Sequence, residues 1–542
     1  MAADLVITGA AVFDHPGVTA VSVTDGRISA LGAAAEALIG SSTRVLTTPG
    51  GLVLPGFVDA HVHAPFAGRN LNCLWLNDTE GKSAYLQQIA NYAAAHPELP
   101  WIVGGGWAME YFPGGTPDRR DLDAVVGDRP VFLMNRDVHG AWVNTRALEI
   151  AGIDEHTPDP IDGRYERDTH GYPTGTLHEG AAYAFDAVHV PRPDLAEWRA
   201  AIVTAQRHLH SLGITGWQDA WVTPDTLAAY RDLGDDGGLT ARVVGALWWD
   251  RHAGLEQLEL FAAQREHGAA PNFSPTTVKI MADGVMENYT GALLEPYCSC
   301  VDHRGAGKGN STGSGLSYVD PDTLQRAVTA LDAAGFQVHM HAIGDRAARD
   351  CLNAVERART TNGPNDLRHH IAHLQLVHPD DLPRFAALDV VANLQAYWAQ
   401  HEPQMDALTI PFLGERRAAL QFPFADLVAQ GTRIAMGSDW AVTTADPLAQ
   451  IEVAITRRDP DHRDGEPFLP WQALDLDTAL RAFTAGSAYV NHDPSGGRIA
   501  VGARADLAVL DLDITRSAHL PTDAVVVTTI AGGAVVHHRG DH

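Results

Sequence analysis

Residues 322–345 read DTLQRAVTALDAAGFQVHMHAIGD. A helix-like run stops at Gly335, and a strand-like run follows with no linker between them. Strand-like and helix-like stretches alternate in this way through the middle of the chain. Repeated units of that kind predict an α/β fold, either a parallel sheet or a (β/α)8 barrel of the TIM type. A chain of 542 residues has room for such a barrel with additions.

The two ends of the chain differ from its middle. LVITGAAVFD (5–14) and VSVTDGRISALG (21–32) alternate as short strands around an Asp25-Gly26 turn. RADLAVLDLD (504–513), AVVVTTIAGG (524–533) and AVVHHRG (534–540) have the same texture. Residues 1–56 and 490–542 therefore read as one composite β-sandwich. The barrel is expected on 57–68 and 181–489, with an insertion over 69–180 that lacks a clean βα rhythm. Pro-, Gly- and Asp-rich stretches at 155–175 and 457–468 read as loops, as does the Gly/Ser-rich run at 302–316, a candidate lid.

Several strand-like runs end in polar clusters, where barrel enzymes assemble their sites. LVLPGFVDAHVH (52–63) ends in His61 and His63. Residues two apart in a strand share a face, so both imidazoles reach one metal ion, with Asp59 beside them. FQVHMHAIGD places His339 and His341 together. In LRHHIAHLQLV, strict alternation puts His369 and His373 on one face and His370 on the other. TRIAMGSDW ends in Gly437-Ser438-Asp439.

The chain contains only three lysines: Lys82, Lys279 and Lys308. Lys279 alone sits in an apolar run, SPTTVKIMADG (274–284). Burial disfavours the ammonium and favours the neutral amine, which adds to carbon dioxide. The bland alternative is a lysine that snorkels from a strand end.

The net charge of −28 argues against nucleic acid and anionic membranes as partners. Four cysteines (73, 298, 300 and 351) form no zinc or redox spacing and fit a reduced compartment. With neither a signal-like start nor a long apolar run, a cytoplasmic protein is expected, with a homodimer as the candidate assembly.

Taken in order, PGFVDAHVH (55–63), RPVFLMNRDVHGAWVNTRALEIAGI (129–153), VKIMADG (278–284), HMHAIGDRA (339–347), IAHLQ (371–375), GSDW (437–440), FTAGSAY (483–489) and GGRIAVGARADLAVLD (496–511) span nearly the whole chain. They resemble the amidohydrolase superfamily of metal-dependent hydrolases. The nearer likeness is to its amidohydrolase-3 branch, which includes YtcJ-like proteins and N-substituted formamide deformylases. The resemblance implies a binuclear centre of two divalent ions, zinc first, held by His61, His63, Lys279, His341, His373 and Asp439. Lys279 would be carbamylated and bridging, and Asp439 would also move the proton. His341 is preferred over His339 as the fifth-strand ligand, and His369 and His370 are read as supporting residues. The DGVMENYTG run (283–291) departs from the branch's usual continuation, so substrate identity does not transfer.

Trp107, His139, His178, Tyr289 and Trp398 are the candidates for touching a small-molecule substrate. The expected reaction is hydrolysis of an amide-type C–N bond, as in an N-substituted formamide or N-acyl compound. The alternatives are an ester, lactone or carbamate hydrolase, a ring-amidine deaminase, and a non-catalytic regulatory protein. A deaminase of this superfamily carries a glutamate shortly after the fifth-strand histidine, and HAIGD has none.

Overall fold

The computed structural model describes residues 2–298, 313–516 and 518–540. Cys300, Lys308 and the 302–312 part of the Gly/Ser-rich run, the candidate lid, lie outside the described residues. Eight parallel strands form one sheet: β1 (Phe57–Val62), β2 (Ile214–Val222), β3 (Arg242–Trp248), β4 (Phe273–Met281), β5 (Gln337–Ala342), β6 (His370–His373), β7 (Val391–Leu394) and β8 (Ile434–Met436). Neighbours pair in chain order, leaving β1 and β8 as the two edges. The edges meet at their C-terminal ends, where the Asp439 amide donates to the His61 carbonyl and the His63 amide to the Trp440 carbonyl, each at 2.8 Å. Asp59 clasps the same seam, its Oδ1 accepting from the amides of His61 and Ser438 at 3.0 Å each. The sheet is thereby a nearly closed (β/α)8 barrel.

Alternation along each strand sorts the side chains. Val278, Ile280, Val338 and Met340 join an apolar core that includes Leu324, Val328 and Leu331 of the helix Pro321–Ala333. Thr277, Lys279, Gln337, His339 and His341 take the opposite face, and register pairs Thr277 with Gln337 and Lys279 with His339. The helix Pro321–Ala333 starts where the Asp320 side chain accepts from the Thr323 amide at 3.1 Å. It is followed by Gly335 at φ 75°, a left-handed position suited to glycine.

Between β1 and β2 the chain builds a six-stranded sheet, running from Leu74–Trp75 to Pro173–Glu179. The loop expected at 155–175 is in part a hairpin arm, because Gly163–Arg167 pairs antiparallel with Pro173–Glu179. Gly163–Arg167 is the sheet's half-buried edge strand. Charged side chains are tolerated there, and Pro173 falls at the first position of its strand, where proline is accepted. At the chain ends, a four-stranded and a five-stranded sheet enclose a shared core that includes Leu5, Ile7, Val53, Leu507 and Ile530. No helix among the described residues is long and apolar enough to cross a membrane.

Gly437 lies in the β1–β8 seam, where an added Cβ would approach the His61 amide nitrogen to 2.4 Å and the His61 Cβ to 2.7 Å. Gly437→Ala should lower stability by about 1–3 kcal/mol through overpacking, read as a lower midpoint in denaturant titration. The clash falls on His61 and should displace its ring.

Candidate metal centre

The strand ends deliver His61, His63, Lys279, His341, His373 and Asp439 to one cleft of about 510 Å³. His61 Nε2 and His63 Nε2 lie 3.3 and 3.1 Å from Asp439 Oδ1, and His373 Nδ1 lies 3.9 Å from Asp439 Oδ2. Among the described residues, His61, His63 and Asp439 form a group with all ligand atoms within 4.8 Å of one another. Asp439 holds φ 57°, and His373 holds φ 77°. Such strained left-handed positions cluster at functional sites.

Proton positions around His61 follow from the hydrogen bonds beneath it. The Asn393 amide nitrogen donates to the Ala60 carbonyl at 2.9 Å, which fixes the orientation of the amide. The same nitrogen lies 3.1 Å from His370 Nδ1, so that ring atom accepts. His370 therefore carries its proton on Nε2 and donates to Gln218 Oε1 at 2.9 Å. His339 Nδ1 donates to the same oxygen at 2.7 Å, leaving His339 Nε2 as an acceptor for His61 Nδ1–H at 2.9 Å. Burial disfavours the charged forms, pushing His61 down to about 3 and His339 and His370 well below the ordinary imidazole range. His61 Nε2 is left as a lone pair.

That lone pair is buried without a hydrogen-bond partner and faces the equally orphaned Asp439 Oδ1. Two acceptors held at this distance repel, whereas a cation between them is ligated by both. His63 Nδ1 and His373 Nδ1 are orphaned as well. The donor set fits a divalent metal on its own chemistry. Both His339 nitrogens are engaged in the support beneath His61, so His339 stands outside this group.

His341 is supported in a parallel way. Its Nδ1 lies 3.1 Å from Asp283 Oδ1, an oxygen that also accepts from the Ile343 amide at 3.0 Å. Asp283 Oδ2 accepts from the Gly344 and Ala292 amides at 2.8 Å each. Asp283 is thus an acceptor throughout, which puts the His341 proton on Nδ1 and leaves Nε2 available. Sequence reasoning misses Asp283, although the strand-ending Asp-Gly beside Lys279 is its signal.

Strict alternation does not hold across β6. His370 meets Gln218 inside the barrel, and His369 Nε2 pairs with Asp332 of the helix Pro321–Ala333 at 2.8 Å. His373 nevertheless lines the cleft, because the left-handed turn at His373 and Leu374 breaks the period of two.

Lys279 is 1 % exposed, and burial pushes its ammonium down to about 7, with the Asp439 charge opposing the shift. A substantial fraction of neutral amine at neutral pH follows.

The insertion contributes a second buried pair. His139 Nδ1 lies 2.8 Å from Glu179 Oε2, and Glu179 Oε1 accepts from Thr290 Oγ1 at 2.7 Å. Burial alone would lower His139, but the Glu179 carboxylate overrides it and raises the imidazole to about 9. Burial likewise works against Glu179, yet His139 holds it down to about 2.

His139 and Trp398 line the cleft, and Trp398 stacks on His373 with ring centroids 5.1 Å apart. Trp107, His178 and Tyr289 do not line it. Trp107 packs with Phe112 and Trp142 inside the insertion, and Tyr289 packs on Tyr297 and Phe412. His178 faces Glu166 at 3.3 Å, because the period of two sends its neighbour Glu179 to His139 instead.

A sequence profile of the amidohydrolase family matches residues 49–537. The chain belongs to that family. It is 30% identical over 509 residues to the putative amidohydrolase YtcJ of Bacillus subtilis strain 168, covering 91% of each chain. It is 27% identical over 514 residues to the N-substituted formamide deformylase of Arthrobacter pascens, covering 91% of this chain and 90% of the relative. The crystal structure of an uncharacterised metal-dependent hydrolase from Pyrococcus furiosus superposes with a TM-score of 0.70 at 24% identity, covering 94% of this chain and 99% of that one. This last likeness supports the fold alone. Family membership makes the protein a hydrolase by kinship.

Two expectations follow. Removing the support beneath His61 with His339→Ala should weaken affinity for an added divalent ion about 10–100-fold, read by competition with a chromogenic chelator. The His139–Glu179 pair should also give stability a distinctive pH dependence. His139 is raised, so its contribution is complete below 6.5 and lost as pH rises through about 9. Glu179 is depressed, so its contribution is present above 4.5 and lost as pH falls through about 2. The melting-temperature deficit of Glu179→Gln should therefore be greatest between 4.5 and 6.5 and narrow toward 9.

Proposed function

We propose that the protein hydrolyses an amide-type C–N bond in a small molecule, such as an N-substituted formamide or another N-acyl compound. The observation that carries this reading is the His61 Nε2 lone pair set against Asp439 Oδ1 in the cleft that Lys279 lines. Kinship with the protein named N-substituted formamide deformylase supports the choice of bond.

His61, His63, His341, His373, Asp439 and a carbamylated Lys279 would hold two divalent ions, zinc by this nitrogen-and-oxygen donor set. When bound, such ions supply a Lewis acid for the carbonyl and an acidified water as nucleophile. The carbamate would arise as the neutral Lys279 amine adds to carbon dioxide, forming an N–C bond and releasing one proton. The product is an anion with two oxygens on a long arm.

Asp439 takes the proton of the attacking water and delivers it to the leaving nitrogen, which departs as a neutral amine. Trp398 keeps His373 in place by stacking and lines the cleft beside it. His139, held by Glu179, presents a fixed polar edge from the insertion across from the strand ends.

A hydrolysis screen of the zinc-loaded protein against formamides, longer amides, esters and ring amidines tests the reading. Cleavage of amides ahead of the other classes is expected; turnover of ring amidines alone would replace it with deamination. Lys279→Ala should lose bound metal by elemental analysis and nearly all activity, with partial rescue by a short carboxylic acid. Retention of both metals in that variant would overturn the carbamate.

A further inference from the structure

A second cavity, about 1050 Å³ when the open space at its mouth is included, opens beside His63, between the segment after β1 and the six-stranded sheet of the insertion. It shares His63, Tyr183 and Trp221 with the metal cleft, so the two spaces adjoin. The shared wall is aromatic: the Trp221 ring lies 6.3 Å from His63, 6.1 Å from Phe66 and 6.4 Å from Tyr183. Beyond it the lining includes Val103, Phe132 and Met134, which belong to one apolar cluster with Phe66.

Arg69, Asp186 and the unpartnered Trp198 Nε1 also line the cavity, outside this apolar cluster. Asp219, the carboxylate nearest the metal side, accepts from the Trp221 amide at 2.9 Å and from the Tyr230 hydroxyl at 2.8 Å. Arg192 and Asp225 are exposed and paired with each other at 3.9 Å, which places them at the solvent end. The part of the chamber walled by Phe66, Val103, Phe132 and Met134 favours an uncharged, water-shedding group over a charged one.

We infer that this cavity is the subsite for a bulky, uncharged apolar substituent, of long-alkyl or arylalkyl size, carried on the scissile amide. The inference rests on the C–N hydrolase reading above and adds the class of substrate. A substituent lying over Trp221 and against Phe66 and Met134 leaves the reacting carbonyl beside His63. Selectivity then comes from both parts, the insertion supplying Val103, Phe132 and Met134 and the barrel supplying Phe66 and Trp221.

The test compares two homologous series on the zinc-loaded protein: N-alkyl formamides from methyl to hexyl with N-(4-phenylbutyl)formamide, and N-methyl amides of the matching carboxylic acids. In one of the series kcat/KM should rise about fourfold per added methylene, as expected for burial of about 0.8 kcal/mol per group. The series that rises identifies the side of the bond that enters the cavity. Val103→Trp, which fills the chamber, should lower kcat/KM for the longest member at least tenfold more than for the methyl member. A flat profile in both series, or an equal loss for long and short members, would overturn the subsite while leaving C–N hydrolysis intact.

If no amide is turned over, binding of 4-phenylbutan-1-ol still decides the matter, followed by tryptophan fluorescence and calorimetry. Saturable binding to the folded wild type that is lost in a folded Val103→Trp variant supports the cavity. Absence of binding to the wild type overturns it.

Discussion

One amide nitrogen orders the interior of this barrel. Asn393 donates to the Ala60 carbonyl and to His370, and every proton from there to His61 then has one place to be. A TIM-type barrel commonly fills its centre with branched apolar side chains. Here the interior instead holds imidazoles, amides and a hydroxyl: His339 and His370 above, Gln337 and Thr277 below, joined through Gln218. Such a network is favourable only when nearly complete, since one unpaired buried group costs about 1–3 kcal/mol. Its completeness is what allows His61 to face Asp439 with a bare nitrogen.

The insertion and the barrel divide the work. Barrel strands contribute the groups that converge on Asp439, each at a strand end. The insertion brings His139 and Glu179 over that cleft and contributes one wall of the apolar chamber beside it. Glu179 holds φ 55° at the junction between its strand and the following helix, so the pair with His139 is bought with local backbone strain.

Much of this was legible in the residues. The handover at Gly335 announced the αβ rhythm, and His-X-His at the end of β1 announced two imidazoles in the cleft at the strand ends. The apolar run around Lys279 foretold its burial, and its low pKa follows from that burial. What failed to show had physical reasons. A period of two places His178 and Glu179 on opposite faces, but without the register against Gly140 nothing says which face meets the cleft. His373 escapes the same period through a left-handed turn that no side chain advertises. The edge strand Gly163–Arg167 is charged enough to read as a loop, because half of it meets solvent. Trp107 and Tyr289 looked like ligand-facing aromatics and are packing residues, the commoner fate of an aromatic side chain.

The seam between β1 and β8 has a consequence for how the molecule comes into being. The Ser438 amide reaches Asp59 across a sequence separation of 379 residues, and the His61 carbonyl takes the amide of Asp439 itself. The groups that gather around Asp439 are thus placed by contacts between the start and the finish of the barrel. During synthesis the first histidines emerge long before their partner, and no partial barrel has Asp439 against them. Contacts of such long range are slow to form because loop closure precedes their reward. The cleft around Asp439 is therefore completed in the last act of folding, and its geometry reports a finished chain.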